Sequence, residues 1–144
     1  MMERTISIGR INAIKRVKAE IESVRESMNE LGAPILTDWA LLPGLYKLFR
    51  ESFSNRHVYS GVDHRRKFIF VALYLYCPAS LVGERMPMGF RKALADTLGL
   101  NATTTISDNS AGLMVMYRSY PDFRRDVDLF YEKIMLYLEN TRNE

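Results

Sequence analysis

Residues 65–78 read Arg65-Arg66-Lys67-Phe68-Ile69-Phe70-Val71-Ala72-Leu73-Tyr74-Leu75-Tyr76-Cys77-Pro78, and they decide the fold. The apolar run 68–77 is only about half the ~20 residues that a membrane-spanning helix needs. Pro78 closes it, since proline cannot continue a helix. The stretch 65–77 therefore reads as a buried core helix, and no membrane partner is expected. No segment alternates with a period of two. The chain is expected to be all-α, a single compact domain of five to seven helices.

The 144 residues suit one domain and a sizeable core. One cysteine excludes an internal disulfide framework, and with two histidines it leaves little for a metal site. Neither metal nor cofactor is expected. The start, 1–10, lacks the apolar core and small residues of a secretory signal. With the lone Cys77, this gives cytoplasmic localisation as the expectation.

Upstream of the core helix, 6–31 contain no proline. Ile14, Val17, Ile21, Val24, Met28 and Leu31 recur with gaps of three and four, a heptad seam of about two and a half repeats. Gly32 and Pro34 end the segment. Residues 1–34 are thus expected to be a long N-terminal helix that packs on this chain, on a second copy or on a protein partner. Residues 35–144 are expected to form the helical core. Charge along the arm runs against the helix dipole. Arg4, Arg10, Lys15, Arg16 and Lys18 against Glu3 give +4, then Glu20, Glu22, Glu26 and Glu30 against Arg25 give −3.

Between arm and core helix, 37–53 read as a helix or paired turns. Thr37 or Asp38 would cap it and Pro43 would sit near its start, with Leu42, Tyr46, Phe49 and Phe53 on one face. Residues 54–63 read as a loop. Downstream, 79–89 are turn-rich, 90–98 a short helix stopped by Gly99, 101–120 another, and 123–137 a final amphipathic helix.

Catalytic chemistry has few candidates. His57 and His64 have no acid at ligand spacing and read as surface residues. Cys77 sits in the most apolar helix, where a thiol reads as a small core residue. There is no glycine-rich phosphate loop, so the chain is expected not to be an enzyme.

The basic residues say more. Lys47, Arg50, Arg56, Arg65, Arg66 and Lys67 against Glu51 and Asp63 make 47–67 a +4 segment. Arginine grips phosphate bidentately, and the triplet Arg65, Arg66 and Lys67 opens a helix where free amides favour anions. Segment 90–118 then has a helix–turn–helix grammar. Leu94 and Leu98 face the core, Ala95 permits close helix approach, and Gly99 takes the corner. Arg91, Lys92, Asn101, Thr103, Thr104 and Thr105 are the candidate DNA contacts there, with Arg65, Arg66 and Lys67. Between Lys92 and Arg118 the only charges are Asp96 and Asp108. DNA binding therefore requires that folding bring Arg65, Arg66, Arg91 and the start of the Thr103 helix onto one face.

Ala72-Leu73-Tyr74-Leu75, Leu98-Gly99-Leu100 and Ala102-Thr103-Thr104-Thr105-Ile106 resemble the C-terminal DNA-binding domain of DnaA-type replication initiators, of the tryptophan-repressor-like class. There the corresponding elements are an Ala-Met-Tyr-Leu helix core, a Phe-Gly-Gly corner and an Asp-His-Thr-Thr-Val helix start. The resemblance spans 65–137. It implies groove-facing Thr104 and Thr105, and backbone contacts near Arg65 and Arg66. The family's Asp-His pair is replaced by Ala102 and Thr103, its basic turn residue by Asn101, and the 78–89 loop is longer.

Two functions follow as expectations. One is a duplex-DNA-binding module, a regulator or replication accessory factor, working as an oligomer. The other is a structural or adaptor protein of a phage or mobile element that assembles through helices. The seam motivates the second, as do eight methionines, of which Met86, Met88, Met114 and Met116 are candidates for an adaptable contact surface.

Overall fold

The computed structural model describes residues 5–53 and 61–142. Among them are six α-helices and no strand: α1 (Ile8–Leu31), α2 (Leu42–Ser52), α3 (Gly61–Tyr76), α4 (Met88–Leu98), α5 (Thr104–Ser119) and α6 (Pro121–Arg142). Short 3-10 turns, Trp39–Leu41 and Pro78–Val82, precede α2 and follow α3. The chain divides into two units between Ala33 and Pro34. The all-α expectation and the long N-terminal helix are both realised.

The first unit is α1. Ser7 caps it, its hydroxyl accepting from Arg10 N at 3.2 Å, and Gly32 N closes the last turn on Met28 O at 2.8 Å. No acid lies in the first turn and no base in the last, so its charge order opposes its dipole.

The second unit is built around α3. Phe68, Ile69, Phe70, Val71, Ala72, Leu73, Leu75 and Tyr76 are all buried, which is why this segment shows an unbroken apolar run rather than a stripe. Tyr74 alone in that run is exposed. Leu42, Leu45 and Phe49 of α2 cover one side of α3, and Phe123, Val127, Phe130 and Ile134 of α6 another. Phe49 lies at the aromatic centre, 4.8 Å from the Phe130 ring and 5.6 Å from that of Phe68. Aromatic pairs at such spacings add to their area burial.

The free carbonyls at the end of α3 are satisfied by the chain that enters the unit. Leu75 O accepts from Ile35 N and Leu36 N at 2.8 and 2.9 Å, and Tyr76 Oη donates to Asp38 O at 2.8 Å. Asp38 also caps the following turn through Ala40 N. These bonds set the start of α2 beside the end of α3. The end of α2 lies beside the start of α3, with Phe49 and His64 ring centroids 4.4 Å apart. The two helices are antiparallel.

Several expected boundaries move, and the final helix, expected over 123–137, runs over Pro121–Arg142. The loop 54–63 gives way to helix at Gly61, while 54–60, with Arg56 and His57, lies outside the described residues. The helix expected from Asn101 starts at Thr104. The same helix, expected to reach 120, ends at Ser119, and Tyr120 is extended and exposed.

Candidate functional site

Three surfaces hold the candidate residues. The first is the seam on α1. The helix buries none of its residues, and Ile14, Val17, Ile21, Val24 and Leu31 are between 50% and 84% exposed, with Met28 intermediate. Repetition at a and d positions gathers these side chains into one stripe along about 26 Å of helix, at 1.5 Å rise per residue.

The second is the helix–turn–helix unit. Gly99 adopts φ +72°, the left-handed conformation that only glycine takes at little cost. Its N–H bonds Asp96 O at 3.1 Å while Leu100 N bonds Ala95 O at 2.9 Å, the paired bonds of a Schellman stop. Leu94, Ala95, Ile106 and Leu113 are buried at the inner face of this unit. Lys92 and Asn101 are exposed, and Thr103 is intermediate, at the start of α5. The Thr104 and Thr105 side chains lie outside the described residues. Arg91 is half-buried, with its Nε enclosed and unbonded among the described residues.

The third is a cationic pocket of about 580 Å³ between α2 and α3, lined by Tyr46, Lys47, Arg50, Glu51, Phe53 and His64. The Arg50 guanidinium stands 5.9 Å over the Tyr46 ring. His64, expected at the surface, is half-buried there: it lines the pocket and packs on Phe49 and Phe53. Burial, with Lys67 and Arg50 nearby, holds its imidazole below the ordinary value. Arg65 and Arg66 follow on α3, half-buried.

Lys67 leaves the phosphate-contacting set. Its Nζ lies 2.8 Å from Asp126 Oδ2, with the two side chains 5% and 2% exposed. It faces α6 in the core, one helical step of about 100° from its neighbour Arg66. An ammonium held there is not presented to a phosphate.

The candidate basic residues lie at the two ends of α3. Phe90 packs on Tyr76 at 5.2 Å and on Trp39 at 5.8 Å, which puts the first turn of α4, with Arg91, at the C-terminal end of α3. Arg65 stands at the other end, eleven residues or about 16 Å of helix axis away. Arg65 and Arg66 thus belong with Lys47, Arg50 and His64, apart from Arg91 and Lys92.

Compared with protein-family models, curated proteins and solved structures, the chain matches none. The likeness to the initiator DNA-binding domain therefore stands on the residues quoted for it alone.

The remaining candidates have structural roles. Burial raises the Cys77 thiol to about 11, which suppresses the thiolate a nucleophile needs. Among the described residues no three His, Cys, Asp or Glu side chains gather as a metal site. No helix among them is long and apolar enough to cross a membrane. Of the four methionines, Met86 is core, Met114 and Met116 pack against the core, and Met88 is exposed. An apolar cleft of about 440 Å³ opens near Tyr74, Leu81, Met114 and Tyr131. Sequence reading missed it, because its walls come from four separate elements.

Proposed function

We propose that the chain is a non-enzymatic adaptor or structural protein that assembles through α1. One observation carries this: a capped helix of 24 residues presents a complete heptad seam and buries none of it. Fully burying one Val, Leu or Ile side chain stabilises by about 1.5–3 kcal/mol, so five left exposed are a strong drive toward a partner helix. The seam's period suits a helix and no other surface. Light scattering of the full chain tests the reading. The mass should rise above 16.7 kDa with concentration, and Val17→Asp with Val24→Asp should hold it there. A wild-type mass that never rises refutes self-assembly.

A second reading, duplex-DNA binding as a regulator or replication accessory factor, has its own support in the α4–Gly99–α5 unit. Ala95 and Gly99 occupy the small-residue and corner positions, and Lys92 and Asn101 are exposed beside them. Its weakness is charge, because phosphate contacts supply most non-specific affinity. The basic cluster on α2 and α3 lies at the far end of α3. A gel shift at low salt that weakens with Lys92→Ala and is lost as salt rises would favour it; no shift at low salt would end it.

A further inference from the structure

We infer that α1 pairs in parallel and in register with α1 of a second copy, locked by two reciprocal contacts between Glu20 and Arg25. This rests on the assembly reading and names its partner and geometry. The gaps place Ile14, Ile21 and Met28 at a positions and Val17, Val24 and Leu31 at d positions. The flanking positions, which face across a coiled-coil seam, are then Lys18 and Arg25 at e, and Ala13, Glu20 and Ser27 at g.

In a parallel pair each g residue faces the e residue five places further along the partner. Glu20 then meets Arg25 of the second copy, once on each side of the seam. The other flanking pairs, Ala13 with Lys18 and Ser27 with Gly32, carry no opposed charge. An antiparallel pair that stacks all six seam positions sets e against e. Lys18 would then face Arg25 twice, cation on cation, with Glu20 against the uncharged Ser27. Charge at the seam therefore selects the parallel arrangement. Arg10 extends the d row one heptad before Val17, ahead of the six apolar seam positions, and the other charges, Lys15, Arg16, Glu22, Glu26 and Glu30, fall at b, c and f positions on the outer surface. Within one helix Glu20 and Arg25 are about 140° apart and cannot meet. Both are exposed, so each is available to a second chain.

The seam is short, so the pairing is expected to be reversible and is read by its concentration dependence. The full chain with Cys77→Ala and Ile14→Cys is oxidised under mild conditions, and its mass is followed by sedimentation. The expected result is a dimer that cross-links through the new thiols, since parallel register places the two a positions together. Glu20→Arg should weaken the dimer about tenfold by turning two attractions into repulsions. The charge swap Glu20→Arg with Arg25→Glu should restore it, which a residue needed only for folding would not do. A wild-type dimer that neither cross-links at position 14 nor weakens with Glu20→Arg overturns the parallel register and leaves the assembly reading standing. A strict monomer overturns both.

Discussion

Lys67 Nζ and Asp126 Oδ2 lie 2.8 Å apart inside the core, joining α3 to α6 across 59 residues of sequence. Both side chains are almost fully withdrawn from solvent, where an ionised group is costly to hold. Removing one partner of a buried ion pair typically costs about 3–5 kcal/mol, whereas replacing both with apolar groups is often close to neutral. Asp126→Ala should therefore destabilise strongly in chemical denaturation. The pair Lys67→Met with Asp126→Leu should lose far less. Equal losses would show that the ion pair does not hold these helices.

Gly99 predicts a smaller and different effect. A Cβ placed there meets nothing within 4 Å, so only its φ of +72° is at stake. Gly99→Ala should destabilise by about 1–2 kcal/mol through left-handed strain. Gly99→Asn should cost less, because asparagine tolerates that region. A lowered denaturation midpoint at unchanged slope checks this.

Acid and base should each weaken the core through a different residue. Burial first, then Lys67 and Arg50, lower the His64 value below its ordinary 6.5. As pH falls through 6.5 the unfolded chain takes the proton before the folded one, so stability declines on acidification. Imidazole titration by NMR should give a midpoint below 6.5, and one above it would contradict the packing on Phe49. For Cys77, burial lifts the thiol from 9.0 to about 11. The unfolded thiol then ionises first as pH rises through 9, and stability falls from there toward 11. Alkylation near pH 8 should be about a hundredfold slower in the folded chain than in the unfolded one.

The helices were legible where local rules dominate. Pro78, Gly99 and Pro121 stop or start helices, and the 68–77 run announces a core helix because burial on all sides removes any stripe. Lys67 was not legible. It stands in a triplet with Arg65 and Arg66, and only the rotation of α3 and the distant Asp126 separate its fate from theirs. The half-burial of His64 was not legible for the same reason, since its aromatic neighbours Phe49 and Phe53 arrive from α2 and its C-cap. The start of α5 slipped by three residues because the Schellman bonds at Gly99 stop α4 without fixing where the next helix begins. The α1 seam was visible as a period, whereas its exposure is a property of the folded helix that no period states.

The central claim is that α1 exists to pair. Sedimentation equilibrium of the unmodified full chain over a wide concentration range tests it most directly. The account predicts a monomer–dimer equilibrium between 16.7 kDa and twice that mass, abolished by Val17→Asp with Val24→Asp while the thermal melting of the helical core is unchanged. A single species at the monomer mass at every concentration would contradict it.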